Sequence, residues 1–176
     1  MLLFGHIGVI LGVFFGLGKF IPRLRTTIDP KYLAIGALFP DLIDKPLGRV
    51  IFASTFENGR IIGHTLFFSL ILFLIGLILV RKNGDIRIIS LTTGSFFHLM
   101  EDQMWANPKT LFWPFLGLNF PKDHVDFTGM RYLIRLLKNS FTLSFSISSI
   151  PEVLGIGVIV ILILHRLTKR SGQNKF

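Results

Sequence analysis

Six residues of this chain carry side chains able to hold a metal ion, and all lie in or beside strongly apolar stretches: His6, Asp41, Asp44, His64, His98 and Asp102. Imidazoles and carboxylates are costly near hydrocarbon without a partner, so their clustering there is a functional signal. His98-x-x-x-Asp102 is the most specific pattern, since residues four apart share a helix face and can offer one nitrogen and one oxygen to a single ion. Taken alone, it reads equally as a buried histidine bonded to a neighbouring carboxylate. Pro40-Asp41-x-x-Asp44 sets two acids near one face with no base between them, an arrangement that repels unless a cation neutralises it. Solvated acids at a helix end are its plainer alternative. His64 opens the longest apolar run and His6 lies at the start of the first; singly, each would be an ordinary interfacial histidine. Six such residues at one membrane face are explained more economically by metal than by chance.

The donor types narrow the ion. The chain has no cysteine, so nitrogen and oxygen must hold it, which suits zinc, with manganese or non-haem iron as alternatives. A coordination sphere that is not filled leaves room for water, whose pKa a zinc-class ion lowers to about 7, and a second ion about 3.5–4 Å away clamps a phosphoryl oxygen. Hydrolysis is the matching chemistry, with Asp41 or Asp44 as general base where it does not bind metal. Arg60, four residues before His64, is placed either to meet an anionic substrate group or to serve as an interfacial arginine. His124, among Lys122, Asp123 and Asp126, reads as surface loop, and His165 lies near the tail.

Elements that could position these groups must be membrane helices. Of 176 residues, 51% are hydrophobic and only 16% charged, with a mean hydropathy of +0.62, far more apolar than a soluble domain. The net charge of +9 does not point to nucleic acid, because the Lys and Arg residues sit in short connections between apolar runs. Thr65 to Val80 is an uncharged spanning run, closed by Arg81-Lys82-Asn83-Gly84-Asp85 as a tight turn. Ile86 to about Met104 follows, with Thr92, Thr93, Gly94 and Ser95 allowing close packing back against its predecessor. A last helix covers Val153 to Leu164, starting as early as Ile147, and the basic tail beyond should be flexible. Leu2 to Phe20 carries Gly5, Gly8, Gly12, Gly16 and Gly18, giving it a face for close approach; nothing at this terminus reads as a cleavable leader. Tyr32 to Phe39 is too short to cross alone, and Pro40 with the acids predicts a helix stopping there. Met130 to Lys138 has basic residues at helical spacing beside Leu and Ile, the pattern of an interfacial amphipathic helix.

The expected fold is therefore all-α: a polytopic membrane bundle of about four spanning segments, a short helix bearing Asp41 and Asp44, and an interfacial amphipathic helix. Residues 1–168 form one domain and 169–176 a basic tail. Running the first segment inward collects Lys19, Arg23, Arg25, Lys31, Arg81, Lys82, Arg87, Arg166, Lys169, Arg170 and Lys175 on the cytoplasmic side with only Asp29 and Asp85 as acids. That satisfies the positive-inside rule and puts all six candidate ligands at the outer face.

Three stretches carry a family resemblance. Gly36-Ala37-Leu38-Phe39-Pro40-Asp41-Leu42-Ile43-Asp44-Lys45-Pro46, Arg60-x-x-Gly63-His64-Thr65-Leu66, and His98-Leu99-Met100-Glu101-Asp102 followed by Leu111-Phe112-Trp113-Pro114-Phe115 resemble the membrane-bound metal-dependent hydrolases of the YdjM-like group, over roughly residues 1–120. The resemblance implies a bacterial or archaeal inner-membrane protein with a helical fold similar to zinc-dependent phospholipase C and P1-type nucleases. In those relatives His, Asp, His and then His-x-x-x-Asp bind zinc, which corresponds to His6, Asp41, His64, His98 and Asp102 here, with Asp44 matching the second acid of the membrane group. The chain departs from them in lacking the later histidines and the His-x-x-x-Glu pair of a three-zinc centre, so one or two ions are expected.

The leading expectation is a hydrolase of a phosphoester or ester at the membrane face, with lipid as substrate and membrane lipids as surroundings. A non-enzymatic metal-binding or transport protein is the alternative, although neither repeated halves nor polar groups continuing across the bilayer are seen in the sequence. A purely structural metal staple is the third.

Overall fold

The computed structural model describes residues 3–123, 129–141 and 150–173. Among them the secondary structure is helical, without strands. His124 and Asp126, the early start near Ile147 and the last residues of the tail lie outside the described residues.

Helix α1 (Leu3–Phe20) leads through a short turn of helix α2 (Leu24–Thr27) into α3 (Pro30–Pro46). Asp29 starts α3, its carboxylate accepting from Lys31 N at 2.8 Å ahead of a proline in the first turn. The chain continues as a π-helical turn (Leu47–Ile51), α4 (Ala53–Phe56) and a loop to α5 (Leu66–Asn83). Thr65 Oγ1 caps α5 by accepting from Phe68 N at 3.0 Å, and Gly84 ends it in the left-handed conformation at φ 71°. Then come α6 (Arg87–Glu101), a 3-10 turn (Met104–Ala106), α7 (Pro108–Leu111), α8 (Met130–Phe141) and α9 (Ile150–Gln173). The amphipathic stretch from Met130 forms α8. The last helix is longer than its apolar run, reaching Gln173, so residues 169–173 continue it as helix.

Helix α3 does not stop at Pro40; it runs through to Pro46. The sequence expectation fails because the missing partner comes from elsewhere in the fold. Proline has no N–H to offer the carbonyl four residues back, that of Gly36, and Ser95 Oγ of α6 donates to that carbonyl at 3.2 Å instead. One residue on, the Ala37 carbonyl accepts from His98 Nδ1 at 2.6 Å. The proline thus fixes which face of α6 docks on α3.

Helices α3 and α6 run in parallel, since Asp29 N donates to Ser90 Oγ at 2.8 Å at one end and Ala37 meets His98 further along. They touch backbone to backbone: a Cβ on Gly36 would overlap the Leu91 carbonyl, and one on Gly94 the Leu33 carbonyl. The small residues of α6 expected to serve α5 are therefore divided: Gly94 and Ser95 face α3, while α5 meets α6 at Gly76 against Ile88 and Ile89. Ile10, Phe14, Ile28, Leu33 and Ala37 form the core between α1 and α3. Helix α9 lies parallel to α1, with Gly8 against Gly155 and Gly12 against Val158, and Glu152 Oε2 accepts from Phe4 N at 3.0 Å. Among the described helices, α5 alone is long and apolar enough to cross a membrane; the apolar stretches Phe4–Phe20 and Glu152–Leu164 are shorter. Only Ser69 and Gly76 of α5 are buried, so its hydrocarbon faces outward.

Gly36→Val should lower stability by about 1–3 kcal/mol, the range for forcing extra methyl groups into a filled contact. Resistance to unfolding by SDS in detergent micelles measures this, and an unchanged midpoint would refute the close α3–α6 approach.

Candidate metal centre

The elements carry their chemistry to one end of the bundle. His6 comes from the first turns of α1, Asp41 and Asp44 from the last turns of α3, His64 from the residues just before α5, and His98 and Asp102 from the end of α6. The three histidines are completely buried, as is Asp44, while Asp41 and Asp102 are 5% exposed.

Each imidazole is held by its Nδ1. That of His98 donates to the Ala37 carbonyl at 2.6 Å, that of His64 to Asp44 Oδ2 at 2.7 Å, and that of His6 to Glu101 Oε2 at 2.5 Å. A carbonyl and two carboxylates only accept, so the proton sits on Nδ1 and the lone pair on Nε2. Oxygen acceptors behind the ring are the usual means of fixing a histidine for metal.

The Nε2 atoms of His64 and His98 then face each other and Asp41, and that of His6 faces Asp102. His64 and His98 bring theirs to 3.2 Å. Asp102 Oδ1 lies 3.4 Å from His6 Nε2, and Asp41 Oδ1 lies 3.7 Å from His64 Nε2 and 3.8 Å from His98 Nε2. His6 Nε2 is buried without a hydrogen-bond partner. Lone pairs aimed at lone pairs in a buried space repel, and a cation between them removes the repulsion. The spacing fits one: two donors each about 2.1 Å from a tetrahedral ion stand about 3.4 Å apart. His6, His98 and Asp102 form one group able to hold an ion, and Asp41, His64 and His98 form another. Because His98 is shared and one Nε2 serves one ion, the two groups describe either one composite centre or two unequal sites.

The second oxygens of the two ligand carboxylates meet cations, that of Asp102 also lying 3.8 Å from His64 Nε2. Lys45 Nζ lies 2.5 Å from Asp41 Oδ2, and Arg60 reaches Asp102 Oδ2 through Nε at 3.0 Å and Nη2 at 2.9 Å. The two-point contact with the Arg60 guanidinium compensates the burial of the Asp102 carboxylate. Arg60, 40% exposed, is the outward edge of the cluster.

Asp44 is engaged by N–H donors and is not a donor in either metal group. Its Oδ1 accepts from Gly63 N at 2.8 Å, and its Oδ2 accepts from Ile61 N at 2.7 Å, His64 N at 3.1 Å and His64 Nδ1. With both oxygens engaged, this carboxylate folds the loop before α5 and aims His64; the expectation of Asp44 as ligand and base is corrected accordingly. The sequence reading overlooked Glu101 and Lys45. Both were signalled by helical spacing, Glu101 three residues after His98 and Lys45 four after Asp41.

Neither the search of curated proteins nor that of solved structures returned a match. The family model described as YdjM inner membrane protein matches residues 1–172, nearly the whole chain and every residue of the cluster. The chain belongs to the YdjM inner membrane protein family.

Proposed function

We propose that this protein is a membrane-embedded metal-dependent hydrolase acting on a phosphoester or ester, with lipid as the substrate class. The observation that carries the reading is the locking of three buried imidazoles by their Nδ1 atoms so that each Nε2 faces Asp41 or Asp102. The nitrogen and oxygen donors suit zinc best, with manganese or iron as alternatives, as one ion or two. When bound, the ion supplies Lewis-acid activation of water and of the substrate oxygen. Asp41 turns Oδ1 to the Nε2 atoms of His64 and His98 and would hold an ion there; with the ion carried by His6, His98 and Asp102 instead, it would be the carboxylate placed to take a proton from water. Asp44 and Glu101 position His64 and His6.

Charge favours an anionic substrate. With the imidazoles neutral, as a bound ion requires, four acids (Asp41, Asp44, Glu101, Asp102) meet two bases (Lys45, Arg60), so one divalent ion balances these side chains and a second leaves them positive. Arg60 is the group able to turn from Asp102 to a phosphoryl oxygen. The ordered His, Asp, His and His-x-x-x-Asp set supports a scaffold related to zinc-dependent phospholipase C and P1-type nucleases. We further place the protein as a multi-pass domain of about four spans over residues 1–168, its tail cytoplasmic and its site at the outer face, on the charge distribution of the connections.

Metal-loaded protein in mixed micelles of glycerophospholipids, followed by mass spectrometry, tests the activity. Chelator-sensitive release of a phosphorylated headgroup or of a fatty acid is expected. Intact lipids beside bound metal, with metal flux in proteoliposomes, would establish the transport alternative. Near-complete burial of the donors favours a structural staple as second reading; a saturated coordination sphere without water, seen by X-ray absorption, would decide for it. Arg60→Ala should raise KM about tenfold or more with metal content unchanged, in line with loss of a charge-assisted hydrogen bond. An unaltered KM would remove Arg60 from substrate recognition.

A further inference from the structure

A groove of about 530 Å³ lies between α5, α6 and the segment around α7, lined by Leu66, Phe73, Phe96 and Trp113 among others. It follows α5 for about 10 Å, from Leu66 to Phe73. Leu66 is two residues from His64, so the groove starts beside the metal centre and runs along the helix able to cross a membrane.

Three hydroxyl-bearing residues interrupt this lining, Ser69, Thr92 and Thr93, and of these Ser69 alone lacks a partner. Ser69 is 5% exposed, and its Oγ has no hydrogen-bond partner. The hydroxyls of α6 show the usual remedy: Ser90, Thr92 and Thr93 each donate to the carbonyl four residues back, at 2.6–2.8 Å. Ser69 does not, and a buried hydroxyl left unmatched is costly. Its natural complement is a ligand that is hydrocarbon throughout except for one acceptor and that brings no donor of its own.

We propose that the groove seats one acyl chain of an ester-linked lipid, whose ester carbonyl accepts a hydrogen bond from Ser69 Oγ. An α-helix about 10–12 Å across would rest on the rim, whereas an unbranched chain enters the groove, where a turn of Ser69 about χ1 brings its hydroxyl, covered by its neighbours in the empty groove, to the carbonyl. The supply is at hand, because α5 turns nearly all its side chains outward. That this lipid is also the molecule hydrolysed rests on the reading of the metal centre above; its place in the groove does not.

The test uses the full chain in nanodiscs containing a trace of phosphatidylcholine with a photoreactive diazirine on an ester-linked chain, and separately the ether-linked counterpart. After irradiation, labelled residues are mapped by mass spectrometry and metal content is read on the same sample. Labelling by the ester probe should concentrate on residues 69–73 and 93–96 and fall at least fivefold in Thr93→Phe, which fills the groove. In Ser69→Ala, which removes a single atom and keeps the test open if the larger variant misfolds, the ester probe should drop to the level of the ether probe. Even labelling that extends over Ile75 and Ile78 and ignores Thr93→Phe would overturn the proposal, as would equal labelling of the wild type by both probes. Bound metal without groove labelling sinks the lipid site and leaves the hydrolase reading standing; groove labelling of metal-free protein does the reverse.

Discussion

His98→Ala should strip the protein of bound metal, from about one equivalent or more to less than a tenth, while helicity by circular dichroism stays unchanged. This is the largest effect expected of any single ligand. His98 is the donor common to both groups able to hold an ion, so its loss leaves two donors in each, too few to retain a zinc-class ion against water. The fold should survive, because Ser95 still bridges to α3 and the Gly36 and Gly94 contacts remain. Metal retained at wild-type level in this variant would contradict the arrangement of donors. Protons should compete in the same way: imidazole must be neutral to bind, so metal affinity is expected to fall as pH is lowered. Affinity measured by competition with a chromogenic chelator across pH 5–8 reads the effect.

Asp44→Ala is expected to act on the fold itself. It removes the acceptor of three backbone N–H groups and of the His64 ring at a fully buried position. Each donor left unsatisfied costs about 1–3 kcal/mol, so the total should exceed about 3 kcal/mol. The loop of residues 61–64 should detach, with loss of metal as a consequence. Asp44→Asn separates positioning from ligation. It preserves size and one acceptor oxygen, so the protein should fold and bind metal about 10–100-fold more weakly, the usual effect of altering the group behind a ligating histidine. Wild-type affinity in the asparagine variant would show that Asp44 does not orient His64; complete loss of metal in a folded asparagine variant would restore it as a direct ligand.

The sequence made the site more legible than the route by which it is built. Apolar runs and their closing turns mark α5 and α6 because composition and capping are local: Thr65 starts one helix and Gly84 ends it. The pairing of His98 with Asp102 follows from helical spacing. What sequence could not show was compensation across the chain. Pro40 reads as a stop only while Ser95 is far away, and Asp44 reads as a free carboxylate until residues 61–64 bring it their N–H groups. Glu101 and Lys45 were within reach of spacing arguments, but their duties depend on α1 and on how Asp41 is turned. The family match places the chain among inner membrane proteins, and the geometry adds buried donors able to hold a metal ion.

The central claim is that His6, His64, His98, Asp41 and Asp102 hold a metal ion in the folded protein. Elemental analysis of wild-type protein, purified in detergent without chelator and then exposed to equimolar zinc at neutral pH, tests it most directly. The account predicts one or two equivalents of transition metal that survive gel filtration. Protein that remains folded and emerges without metal, both as purified and after exposure to zinc, would contradict it.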